Sequence, residues 1–182
     1  MTSLSTVRVF IVTGGTGALG QSVVSRLLST GSHVIVTYRS KDELNALADR
    51  LSGDERQRFT PFHVDVTSYP AVNEFVDHVV NEYGRIDGLA NLVGGYAEKP
   101  FVESTPEEWQ KMLNLNLIST IFVTRAVLPV MIRSGYGRIV SVGSRGAIQA
   151  LPNAAAYNVS KVGVMWLMET ISNEVRNRNI TA

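Results

Sequence analysis

Apolar positions along this chain alternate between two periods. Val7-Arg8-Val9-Phe10-Ile11-Val12-Thr13 is a short, β-branched, nearly unbroken apolar run, the pattern of a strand buried on both faces. Gln21 to Leu28 then sets Val23, Val24, Leu27 and Leu28 at helical spacing, giving one apolar helix face. The exchange repeats and predicts strands near 7–13, 33–38, 58–64, 86–93 and 137–143, with helices near 18–29, 41–52, 70–83, 106–133 and 154–178. Thr105-Pro106-Glu107-Glu108 reads as a helix start: a capping threonine, proline at the first helical position and an acid three residues after the cap. Neither repeats nor low-complexity linkers interrupt the pattern. Regular β/α alternation predicts an α/β fold, a doubly wound parallel sheet with right-handed crossovers in three α/β/α layers, as one domain over 1–182. In such sheets ligands bind beyond the carboxyl ends of the strands.

Two local patterns carry chemistry. Between the first strand and helix stands Gly14-Gly15-Thr16-Gly17-Ala18-Leu19-Gly20, four glycines in seven residues and more than a tight turn requires. Without side chains the backbone can approach a pyrophosphate, and the amides opening the helix meet its charge. Near the other end, Tyr157 and Lys161 are four residues apart, hence on one helix face. At roughly 4 Å and an effective dielectric near 20, the pair interacts by about 4 kcal/mol. That is about three pKa units, enough to bring a phenol towards neutrality, where it can give or take a proton.

Composition narrows the picture. With 182 residues, 45% hydrophobic and net charge +1, the chain can bury a core, and its charge offers no basis for nucleic acid or anionic membrane as a partner. Zero cysteines exclude disulfides and thiolate metal sites and fit a reducing compartment. His33, His63 and His78 are scattered, so no metal site is expected. The first apolar run leads into the glycine turn rather than to a cleavage site, so no signal peptide is expected. The longest apolar stretch, around Ile121 to Ile132, contains Arg125 and falls short of the ~20 residues that cross a bilayer. A soluble cytoplasmic chain is the expectation.

The spacing Thr13-Gly14-x3-Ala18-x-Gly20 resembles the glycine motif of the short-chain dehydrogenase/reductase family, and the resemblance continues along the chain. Asp65, in His63-Val64-Asp65-Val66, resembles the family's adenine-contacting aspartate. Asn91-Leu92-Val93-Gly94-Gly95 falls where the family has Asn-Asn-Ala-Gly, with Leu92 and Val93 as departures. Asn116, Ser144, Tyr157 and Lys161 match the family's catalytic tetrad in order and spacing. The resemblance implies a Rossmann-type fold and an oxidoreductase moving a hydride between NAD(P)(H) and a carbonyl or alcohol. It also implies cofactor contacts from Gly14, Thr16, Gly17, Leu19, Gly20, Asp65, Val66, Asn91, Gly94, Tyr157 and Lys161. Tyr157 would exchange the proton, Lys161 lower its pKa and bind the ribose, Ser144 hold the carbonyl oxygen, and Asn116 hold a water linking Lys161 to solvent.

Within that resemblance, the second strand ends Val36-Thr37-Tyr38-Arg39. A member using NAD would carry an aspartate near Tyr38 to accept from the ribose 2′-hydroxyl. Here Arg39 can hold a 2′-phosphate in a forked contact, so NADP(H) is expected over NAD(H). The substrate stays open between a ketone, an aldehyde, a 3-oxoacyl thioester and a dihydropteridine, the last because Gly94-Gly95-Tyr96-Ala97 resembles a motif of dihydropteridine reductases. Ile180-Thr181-Ala182 reads as the start of another strand, where full-length relatives continue with a substrate-covering segment. The expectation is therefore a C-terminally incomplete domain, and an alternative function is NADP(H) binding without efficient turnover. The helices near 106–133 and 154–178 are apolar over more than one stripe, and relatives pair these two helices across a two-fold axis. A homodimer or homotetramer is expected, with Trp166 or a neighbouring methionine at the contact.

Overall fold

The computed structural model describes residues 7–182; the first six residues of the expected 1–182 domain lie outside the described residues. Six parallel strands run β1 (Val9–Thr13), β2 (His33–Tyr38), β3 (Phe59–His63), β4 (Gly88–Asn91), β5 (Gly137–Ser141) and β6 (Ile180–Thr181), in spatial order β3-β2-β1-β4-β5-β6. The helices are α1 (Ala18–Ser29), α2 (Lys41–Ala48), α3 (Gly53–Gln57), α4 (Tyr69–Tyr83), α5 (Pro106–Leu113), α6 (Ser119–Ser134) and α7 (Ala155–Glu174). The strand order reverses direction between β1 and β4, the topological switch point at which doubly wound sheets open a crevice. Thr13, Asn91 and Ser141 are in register at the ends of β1, β4 and β5. The segments that follow those strands therefore leave the sheet along one edge.

Two apolar clusters hold the layers together. Val12, Val24, Leu28, Val34 and Val36 pack α1 onto β1 and β2. Ile11, Val72, Phe75, Leu89, Val123, Val127 and Ile139 fill the opposite side under α4 and α6. At the amino ends of the strands Asp87, only 2% exposed, accepts the Val9 N–H at 2.8 Å and a forked contact from the Arg85 guanidinium. Its own backbone bonds Val9 on one side and Arg138 on the other, so this one residue, side chain and backbone together, ties down the meeting point of β1, β4 and β5.

The structure departs from the sequence reading in three places. The helix expected over 41–52 ends at Ala48, and α3 restarts after Ser52, whose side chain and Glu55 form a reciprocal capping box. Ser52, the last residue of the expected helix, instead caps the N–H groups of a new one, so the first helix stops early and a short second helix follows it. The helix expected over 106–133 contains a wider turn with π-type hydrogen bonding at Asn114–Ile118. Finally, Pro106–Ser134 is, among the described residues, one helix long and apolar enough by length and composition to cross a membrane, contrary to the expectation from the Arg125-interrupted run. Its buried positions include Asn116, Ser119, Thr120 and Thr124 beside Val123, Val127 and Met131, and Asn116 and Thr124 bond residues of β4 and the segment after it. Counting unbroken apolar residues misses such a helix, because buried small polar groups and the exposed Arg125 interrupt the run.

Candidate active site

The glycine turn shows which of its glycines packing requires. Gly14 adopts φ +66°, a conformation open mainly to glycine, and its N–H donates to the Thr37 hydroxyl at 3.3 Å. A Cβ on Gly20 would run into the Gly14 carbonyl and the Gly15 backbone. Gly17 differs: a Cβ there meets only the Gly14 carbonyl, at 3.5 Å. Packing does not demand glycine at 17, yet the residue lines the groove and caps the start of α1. Bare backbone there is what a dinucleotide pyrophosphate needs, so the turn fits such a ligand. Leu19 is exposed on the first turn of α1.

The groove encloses about 590 Å³ along the carboxyl edge of the sheet, lined by Gly14, Thr16, Gly17, Arg39, Asp65, Val66 and Gly94 among others. Arg39, after β2, is exposed and makes no ion pair among the described residues. The Thr67 hydroxyl and then its backbone N–H, at 2.6 and 2.9 Å, hold the Asp65 carboxyl below the usual carboxylate range. Burial opposes this weakly, and the nearby positive charge of Arg39 adds to it. Asn91 behaves differently from the other expected cofactor residues. Its side chain, 3% exposed, donates to the Thr124 and Ser141 hydroxyls at 3.1 Å and clamps β4 to β5 and α6. Leu92, Val93 and Gly94 face the groove in its place.

Asn116 and Lys161 converge on Gly94, where a Cβ would stand 2.7 Å from Asn116 Oδ1 and 3.5 Å from Lys161 Nζ. Asn116 is fully buried. Its amide grips the Gly95 backbone both ways, accepting from the N–H at 2.9 Å and donating to the carbonyl at 3.0 Å. The π turn carries this residue, and such turns recur at functional sites because they re-aim one side chain. Lys161, 5% exposed, donates to the Val142 carbonyl at 2.8 Å. Burial pushes its pKa down. Among the described residues the hydrogen bond of the ammonium thus goes to the end of β5, not to the phenol of Tyr157, which lies one turn earlier on α7. Ser144 caps a 3-10 turn at Arg145–Ala147, its hydroxyl accepting from the Gly146 N–H at 3.1 Å.

Tyr157 is half-buried, and its ring meets that of Tyr96 edge-on, centroids 4.9 Å apart at 82°. Tyr96 in turn donates its hydroxyl to Glu98 at 3.0 Å, which pushes the Tyr96 pKa up. Asn158, beside Tyr157, donates to the Leu151 carbonyl at 2.8 Å and secures the loop that follows Ser144. The sequence reading quoted Tyr96 only within Gly94-Gly95-Tyr96-Ala97 and did not single out Asn158. The signal available for Tyr96 was its place after two glycines at a strand end.

The family model described as short chain dehydrogenase matches residues 8–182, and the chain belongs to that family of oxidoreductases. It is 32% identical over 173 residues to a 3-oxoacyl-(acyl-carrier-protein) reductase of Thermotoga maritima, covering 95% of this chain and 70% of that protein. An actinorhodin polyketide ketoreductase solved with NADPH superposes with TM-score 0.90 at 30% identity, over 100% of this chain and 70% of that one. An NAD+-bound xylitol dehydrogenase gives 0.87 at 30% identity, over 95% and 66%. The chain spans about two thirds of the length of the proteins it matches.

Proposed function

We propose that the chain is an NADP(H)-dependent oxidoreductase that interconverts a carbonyl and an alcohol, with Tyr157 exchanging the proton. The observation that carries this is the meeting of Asn116 and Lys161 at Gly94, which lines the same groove as the glycine turn. When bound, the nicotinamide supplies or accepts the hydride. Gly14, Thr16, Gly17, Leu19 and Gly20 form the bed for the pyrophosphate, Asp65 and Val66 flank the adenine, and Arg39 takes the 2′-phosphate. Asn91 acts here through the strand it clamps, which sets Leu92 to Gly94 against the ribose. Ser144 donates to the substrate oxygen and so stabilises the charge that develops there. Lys161, fixed by Val142 and poorly solvated, presents its charge to the ribose hydroxyls and the phenol with little water to weaken it. Asn116 holds the Gly95 backbone, and so the strand end, in place. Without cysteines, the chain needs no oxidising compartment, consistent with a cytoplasmic setting.

Arg39→Ala is expected to weaken NADPH about tenfold or more, the scale of one charge-assisted contact, and to spare NADH. Fluorescence titration of both cofactors measures it; equal affinities in the unaltered chain would sink the NADP(H) preference. The same titration, coupled to NADPH absorbance over a carbonyl panel, separates the alternative reading. Cofactor binding with no carbonyl-dependent oxidation selects binding without efficient turnover. Ile148, four residues beyond Ser144, is 86% exposed; an apolar side chain left uncovered beside the proposed substrate position favours binding without efficient turnover.

Assembly belongs to the same proposal. Val159, Met165 and Trp166 are exposed along α7, Trp166 at 59%, on the helix that packs beside α5. We expect a homodimer or homotetramer through the helices near 106–133 and 154–178. Sedimentation at tens of micromolar checks it, and a monomer there counts against the interface.

A further inference from the structure

Glu43 occupies the third position of α2, where Ser40 caps its N–H at 3.3 Å. Its carboxylate accepts the Thr16 hydroxyl at 3.0 Å, and both residues line the groove together with Arg39 and Ser40. Thr16 is also held from behind: Gln21 donates to its carbonyl at 2.8 Å, and Arg50 donates to Gln21 at 2.9 Å. The glycine turn is thus tied to α2 by one polar contact on the wall that carries Arg39. Both signs of charge line that wall, unpaired with each other. Arg39 favours a phosphate on the adenosine ribose, while the Glu43 carboxylate, already sitting in the field of the helix start, disfavours it.

We propose that Glu43 sets the cofactor selectivity of this groove, holding Thr16 and opposing a ribose phosphate so that the margin between phosphorylated and unphosphorylated dinucleotides is narrower than Arg39 alone would give. The inference rests on the cofactor reading above. Glu43→Gln tests it, because glutamine keeps an oxygen for the Thr16 hydroxyl and removes only the charge. Titrating the full chain by fluorescence, the variant should bind NADPH and the probe 2′,5′-ADP about fivefold more tightly, the scale of one like-charge pair across a hydrated groove. NADH should stay within about twofold, and the gain should shrink as salt screens the pair. An equal change for NADPH and NADH, or none for either, overturns the proposal. Arg39→Ala in the same titration reads the NADP(H) assignment separately. If it loses NADPH while Glu43→Gln is unselective, only the present inference falls; if it keeps NADPH while Glu43→Gln is selective, only the assignment to Arg39 falls.

Discussion

Tyr157→Phe is expected to lower carbonyl reduction by about 10²- to 10⁴-fold, the range for removing a positioned proton donor. NADPH affinity should change by no more than about twofold, because the substitution leaves the backbone of α7, Lys161 and the groove untouched. The ring and its edge contact with Tyr96 also remain, so the loss reads the hydroxyl rather than the packing. Following NADPH consumption with a carbonyl panel, alongside a fluorescence titration, gives both numbers. Turnover retained in the variant would remove Tyr157 from the mechanism. Turnover and binding lost together would mean that the phenol holds the site rather than serving it.

The largest effect on stability is expected far from that site, at the amino ends of the strands. Asp87→Ala should cost about 3 kcal/mol, since it strands the buried Val9 N–H and removes the partner of Arg85. Arg85 keeps partial contact with water, which holds the cost below that of a fully buried pair. For a chain of this size the change is about 6 to 12 °C in Tm. Asp87→Asn, which keeps an acceptor for Val9, should cost less than half as much. Circular dichroism during urea and thermal unfolding checks both, and an alanine variant within about 1 kcal/mol of the parent would show that the carboxylate's hold on Val9 and Arg85 does not stabilise the amino ends of the strands.

Much of this architecture was legible because it depends on short-range rules. The β-branched runs located the strands, and the alternation of periods implied a parallel sheet. Thr105 and Glu108 form the reciprocal cap that their spacing announces. The family was legible too, from ordered motifs spread over the chain. What stayed hidden depends on neighbours distant in sequence. Asn91 looks the same on paper whether it faces a ribose or clamps Thr124 and Ser141; only the packing of α6 against the sheet turns it inward. The π turn at Asn114–Ile118 leaves no local mark, because asparagines and leucines also fit an ordinary helix. Glu43 reads as a first-turn acid on α2, and its reach to Thr16 appears only once β1 and β2 lie side by side. Likewise, the four-residue spacing of Tyr157 and Lys161 puts them on one face but does not reveal that Val142 takes the ammonium's hydrogen bond.

That last contact makes the chain's four lysines chemically unequal. Lys41 and Lys111 extend into water and Lys99 is partly exposed beside Glu108, so their amines are open to acylating reagents. Lys161 is shielded by protein and donates a hydrogen bond to a backbone carbonyl. Acylation of the folded chain is therefore expected to be slowest at that amine, and faster modification of Lys161 would report that α7 has loosened from the end of β5.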